Sequence, residues 1–231
     1  MTVKTKPPFL PPPPSKQGRV GVGVHPSLDH EHQLRQADHA LVAGIDEAGR
    51  GAWAGPVVAA AVILDHSKVD QLNGVNDSKQ LSSRQRAALY QLIVDNCCAC
   101  GVGHGTVEEI DTFGIVPATR LAMMRAIEAL SPQPNALIID AVRLPQVNLP
   151  QSVFFFADSI SLSVAAASII AKVTRDRLMV ELDAQYPRYD FARHKGYGTQ
   201  IHQLALQSLG PCEIHRRSFK PISTLLADRL I

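Results

Sequence analysis

The chain has 231 residues, of which 45% are hydrophobic and 19% charged, with a formal net charge of +2. That is enough apolar material for one domain with a real core. It is too little charge for a polycation, so nucleic-acid binding would need clustered basic residues. No apolar run approaches the roughly 20 residues that cross a bilayer, so no membrane association is expected. Cys97, Cys98, Cys100 and Cys212 lack the paired spacing of a zinc site. The N-terminal stretch has no apolar segment before a cleavage site, which argues against a secretory signal and for a reducing, cytoplasmic setting.

Residues 1–38, with "KPPFLPPPPSKQGRVGVGV", read as a disordered proline-rich tail that favours polyproline II, and residues 39–231 as the folded domain. "ALVAGID" reads as a short apolar strand ending at Asp46, and "GPVVAAAVIL" as a second, with Pro56 at its start. "SSRQRAALYQLIVDNC" has helical spacing, with Leu89, Leu92 and Ile93 on one face and Ser82 or Ser83 as cap. "ACGVGHGTV" is a glycine-rich strand. "EEIDTFG" and "PATRLAMMRAIEALS" are helical, with Pro117 tolerated in a first turn. "NALIID" and "SVFFFAD" are strands closing on Asp140 and Asp158. "SLSVAAASIIAKVTRDRLMVELDAQY" is a long helix ending before Pro187, and "TQIHQLALQSLG" and "STLLADRLI" are later helices. The order predicts an α/β domain with a mixed central sheet flanked by helices and a helical C-terminal portion.

Asp46, Asp140 and Asp158 share one kind of position, the end of an apolar strand, and Glu47 adjoins the first. If the strands are neighbours running the same way, these acids converge beyond the carboxyl end of the sheet. Converging carboxylates repel and need protons, basic partners or cations. Hard oxygen donors without a nearby His or Cys favour Mg²⁺ or Mn²⁺ over Zn²⁺, and paired divalent ions are the usual apparatus for phosphodiester hydrolysis. Taken singly, each acid also fits a turn or helix cap. "GRGAWAG" (49–55) has neither the spacing nor the following helix of a dinucleotide fingerprint. Glycines on both sides of Arg50 instead allow backbone to approach a bulky ligand.

"GIDEAGRGAWAGPVVAAAVIL", "DSKQLS", "ATRLAMMRAI", "ADSISLSVAAASIIAKVTRDRLM", "YPRYDFARHKGYGTQIH" and "GPCEIHRRSF" together resemble bacterial ribonuclease HII, from about residue 42 to 221. The resemblance implies a ribonuclease H-like fold and metal-dependent hydrolysis of the RNA strand of RNA–DNA hybrids. It also implies a cut 5′ of single ribonucleotides in duplex DNA, leaving a 3′-hydroxyl and a 5′-phosphate. The resemblance assigns Asp46, Glu47, Asp140 and Asp158 to catalysis and metal binding, with Mn²⁺ or Mg²⁺ as cofactor. It assigns Gly49, Arg50, Gly51 and Tyr197 to reading the 2′-hydroxyl, which distinguishes RNA from DNA. The chain departs from the family's common residues at Gly114, Ala141, Phe156 and Ala157.

Lys79, Lys172 and Lys195 are the leading candidate substrate contacts, with Arg175, Arg216, Arg217 and Lys220 as further ones. Lys172 and Asp176 are also spaced for an ordinary helix-surface pair. His194, His202 and His215 read as structural. The expected partners are RNA–DNA hybrid and ribonucleotide-containing DNA; no obligate protein partner is evident, and a monomer is expected. The alternative is a non-catalytic hybrid-binding protein.

Overall fold

A computed structural model describes residues 25–227. The strands β1 (Val42–Ala48), β2 (Val57–Leu64), β3 (Cys97–Gly105), β4 (Ala136–Asp140) and β5 (Gln151–Phe154) form one sheet ordered β3-β2-β1-β4-β5. The first three make an antiparallel meander, while β4 runs parallel to β1 and β5 parallel to β4. The helices are α1 (Asp29–Gln36), α2 (Ser83–Asn96), α3 (Val107–Phe113), α4 (Ile115–Glu128), α5 (Leu162–Gln185), α6 (Phe191–His194), α7 (Gln200–Leu209) and α8 (Lys220–Ala227). The expected α/β architecture with a mixed sheet is present.

The apolar run of β2 is unbroken because both of its faces are covered. Ala59, Ala61 and Ile63 pack with Ala122, Met123 and Ala126 of α4, and Ala60, Val62 and Leu64 pack with Ala166, Ile169 and Ile170 of α5. Each Val, Ile or Leu buried this way contributes about 1.5–3 kcal/mol relative to exposure. The glycines of β3 alternate for a steric reason. A Cβ at Gly101 or Gly103 would stand 2.1 Å from the carbonyl oxygen of Ala126 or Ala122, so α4 lies directly on the strand backbone. Of the two serines expected as cap, Ser82 caps α2, and it does so in a capping box, Ser82 receiving the Gln85 N–H and Gln85 receiving the Ser82 N–H.

Three expectations need correction. β1 does not stop at Asp46 but runs on to Ala48, pairing Asp46 with Ala60. β5 stops at Phe154, so Asp158 sits in a short 3₁₀ turn (Ala157–Ser159), entered through Phe156 in the left-handed region at φ 61°. The tail does not extend to residue 38: residues 29–36 form α1, and the polyproline run lies outside the described residues.

Helix α1 is polar by sequence but is anchored by a buried acid. Glu31 is 1% exposed. Its Oε1 accepts from Ser161 Oγ (2.6 Å), Ser163 Oγ (2.6 Å) and Ser163 N (2.9 Å). These donors open α5, where unpaired N–H groups and the helix dipole favour a negative charge. Leu34 packs beside it with Val42, Ile138 and Val164. The partners lie about 130 residues away in sequence, beyond the reach of a composition-based reading.

Candidate active site

The parallel pairing of β1 with β4 places Ile45 beside Ile139, which brings Asp46 and Asp140 together one residue further on. Both continue the strand faces that pack on α5, through Gly44 and Ala48 in one case and Ile138 in the other. Asp46, Glu47 and Asp140 line a cavity of about 240 Å³ with Gly49, Arg50, Ser78, Lys79, Arg86, Ser168, Lys172 and Tyr197. Asp158 enters through Lys79, whose Nζ donates to Asp158 Oδ2 at 3.0 Å. The four acids and the turn after β1 are thus gathered at one sheet edge.

Their electrostatics are those of crowded carboxylates. Burial first, and then the charges of Glu47, Asp140 and Asp158, hold Asp46 well above the usual carboxylate range. Burial also raises Glu47, Asp140 and Asp158, against the opposing influences of Arg50, the Ala157 N–H and Lys79 respectively. Partial burial works against the Lys79 charge, but its hydrogen bond and ion pair with Asp158 outweigh this and raise it. Arg50 Nη1 stands 3.2 Å from Glu47 Oε1, whereas Glu47 Oε2 is buried with no hydrogen-bond partner. Asp140 Oδ1 accepts from Ala157 N at 2.8 Å, which ties the turn carrying Asp158 to β4.

These side chains suit hard divalent cations in donor type and unsatisfied charge. Among the described residues, however, no three His, Cys, Asp or Glu side chains already converge as a ligand shell. Lys79 and Arg50 occupy Asp158 and Glu47 instead.

The turn 49–56 is held from beneath by two arginines expected from sequence to touch DNA. Arg175 and Arg216 are fully buried. Arg175 donates to the carbonyls of Pro56, Lys195 and Ala54, and Arg216 to those of Gly55, Arg50 and Gly49. A buried guanidinium is costly without acceptors, and the backbone carbonyls supply them. Burial, with Arg175 adding repulsion, pulls Arg216 down to about 9, which still leaves it charged near neutrality. Gly49 has φ 93°, and a Cβ there would lie 1.9 Å from Arg175 Nε, so the position admits no side chain. Nothing lies within 4 Å of a Cβ built on Gly51. The two glycines of the motif therefore do different things: one fits the scaffold, the other leaves open space.

The remaining candidates divide. Lys172 pairs with Asp176 at 2.7 Å, the helix pair anticipated, and still lines the acid cavity. Its Nζ lies 5.5 Å from the Tyr197 ring centre, and Arg175 Cζ lies 5.3 Å from it. Lys195 caps α6 and its Nζ donates to the Ala192 carbonyl. Arg217 is exposed beside the Asp111 carboxylate, which its backbone N–H meets, and Lys220 borders a separate cavity with Trp53 and Leu206. Sequence reasoning missed Arg86, Ser78 and Ser168; the two serines bond to each other at 2.7 Å at the cavity wall. Ser78 and Ser168 lie inside the quoted motifs but carry no charge that would single them out, and Arg86 lies outside those motifs.

Residues 43–222 match the family model described as Ribonuclease HII. The chain belongs to the ribonuclease HII family. Curated ribonuclease HII proteins include one from Chloroflexus aurantiacus, 54% identical over 85% of this chain and 94% of that protein. Another, from Chloroflexus aggregans, is 51% identical over 88% and 97%. The crystal structure of the ribonuclease H2 from Pyrococcus horikoshii OT3 superposes with a TM-score of 0.69 and 28% identity, covering 81% of this chain and 98% of that one. As a ribonuclease HII, the chain is a divalent-metal-dependent endonuclease of RNA–DNA hybrids. The alternative of a non-catalytic binder is not favoured.

Proposed function

We propose that the cavity at the ends of β1 and β4 cuts duplex DNA immediately 5′ of a ribonucleotide, leaving a 3′-hydroxyl and a 5′-phosphate. In this reading Asp46, Glu47, Asp140 and Asp158 hold Mn²⁺ or Mg²⁺. The observation that carries it is Asp46, 4% exposed, with Glu47 and Asp140 raised by burial around the same small cavity and a fourth raised carboxyl, Asp158, joined to it by Lys79. Bound divalent cations would polarise the scissile phosphate and supply a nucleophilic water near neutral pH. The chain's own residues prepare that site. Lys79 and Arg50 neutralise part of the charge on Asp158 and Glu47, and the Ala157 N–H orients Asp140.

In this reading the open turn at Gly51 and the half-buried Tyr197 meet the sugar. A second cavity of about 770 Å³ shares Arg86, Lys172 and Tyr197 with the first and adds Arg177, Arg193 and Lys195. Its cations outnumber Asp176 and Glu181 on the same wall, which suits a phosphate backbone and would make binding weaken with salt. On this reading the chain works as a cytoplasmic monomer with nucleic acid as its partner. No helix among the described residues is long and apolar enough to cross a membrane.

The test is cleavage of a labelled duplex carrying one ribonucleotide, with Mn²⁺, Mg²⁺ or chelator, beside an all-DNA control. A cation-dependent cut 5′ of the ribonucleotide, absent from the control, is expected. Cleavage of the control at a similar rate would remove the sugar-reading role.

A further inference from the structure

Three buried histidines lie behind Tyr197. His202 and His215 are fully buried and His194 nearly so. His194 and His202 stack with ring centres 4.4 Å apart. Satisfying every ring nitrogen leaves a single set of tautomers. His215 Nδ1 faces the Cys212 N–H at 2.9 Å, closer than the Cys212 carbonyl at 3.3 Å; accepting that N–H puts its own proton on Nε2. That proton points at His202 Nε2, 3.0 Å away, which must accept it. His202 then carries its own proton on Nδ1 and donates to the Tyr197 carbonyl at 3.0 Å. His194 accepts from the Gly196 N–H and donates through Nε2 to the Tyr189 carbonyl. Burial lowers both His202 and His215 to about 4, consistent with neutral rings.

The start of this chain of bonds is attached to the turn after β1. Ala54 and His215 form a β-bridge, the Gly55 N–H meets the Ile214 carbonyl, and the Arg216 N–H meets the Trp53 carbonyl. The Trp53 N–H in turn donates to the Gly196 carbonyl, next to Tyr197. The segments carrying Arg50 and Tyr197 are therefore tied together by backbone, by the Arg175 guanidinium and, nearest Tyr197 itself, through two imidazoles.

We propose that His215 and His202 are positioning residues, a directional relay that fixes Tyr197 relative to the 49–51 turn and so sets discrimination for a ribonucleotide. The inference rests on the sugar-reading role proposed for that turn and Tyr197. Long-range ¹H–¹⁵N spectra of the full chain at neutral pH should show His215 with its proton on Nε2 and His202 with its proton on Nδ1. An Nε2-protonated His202, or a charged ring, overturns the relay.

The functional arm measures, in the Asp46→Asn chain, the ratio of dissociation constants for an all-DNA duplex and the same duplex with one ribonucleotide. His202→Phe keeps a flat apolar ring among Trp53 and Phe191 but removes the donor. It should lower the ratio by about fivefold to tenfold. Tyr197→Ala should lower it at least as far, and the two changes together no further than Tyr197→Ala alone. Additive losses, or an unchanged ratio in His202→Phe, would mean the histidines only fill space. A ratio of one in the Asp46→Asn parent would sink the sugar-reading role and the positioning role with it, whatever the tautomers. If His202→Phe does not fold, the spectra of the unaltered chain still decide the relay.

Discussion

Gly49 and Gly51 flank the same arginine, yet the structure asks different things of them. Gly49→Ala must place a Cβ against Arg175 at a left-handed φ, so it should cost roughly 2–4 kcal/mol of stability. Gly51→Ala meets nothing and should leave the melting temperature unchanged, while weakening ribonucleotide binding if backbone there approaches the sugar. Thermal melts of the two variants, read beside duplex binding, separate these outcomes. Equal destabilisation would contradict the open space at Gly51. The motif and its acids were legible in the sequence because charge at the end of an apolar run is unusual. The distinction between the glycines was not, since it depends on Arg175, more than a hundred residues away.

The elements were read well where an apolar run or a cap decides them. The long run of α5, the serine cap of α2 and the valine-rich β2 follow from apolar runs and caps, and the parallel β1–β4 pair brought Asp46 and Asp140 together as expected. Errors fell where a few polar contacts outweigh pattern. Phe154, Phe155 and Phe156 look like a strand continuing to Asp158, but the chain leaves the sheet at Phe154 and Phe155 is 79% exposed. Arg175 and Arg216 look like surface cations, but the carbonyls of the 49–56 turn draw them inside. Helix α1 is the plainest case. Glu31→Ala would strip three donors at the start of α5 of their shared acceptor, and should destabilise by about 2 kcal/mol or more. Glu31→Gln, which keeps an acceptor oxygen, should lose less. Urea unfolding of both variants checks this, and equal losses would count against the buried acceptor as the cause.

At the scale of the whole molecule, the acid cavity is a standing cost. Carboxyls raised in the folded state hold protons more tightly there than in the unfolded chain. Their contribution to stability is therefore greatest below the ordinary carboxylate range and is lost as pH rises through the raised values. Glu109, held down to about 2 by Arg125, works in the opposite sense, so the comparison should be made against a variant. In chelator near neutral pH, Asp46→Asn should melt about 3 °C or more above the parent, with the gap widening as pH rises. Mn²⁺ should raise the parent more than the variant. A variant that melts below the parent in chelator would show that Asp46 is not under strain.

Helix α1 also decides where the chain can be shortened. The first residues of α5 follow directly on the turn that carries Asp158, and Ser27 bridges the same place, its carbonyl receiving the Leu162 N–H and its N–H reaching Ile160. A version beginning at residue 25 keeps Ser27 and α1 and is the reference. One beginning at residue 39, where composition alone would put the cut, should melt several degrees lower and lose part of its cation affinity through a loosened Asp158. Expression trials of the two lengths, followed by melting with and without Mn²⁺, would locate the working boundary of the enzyme.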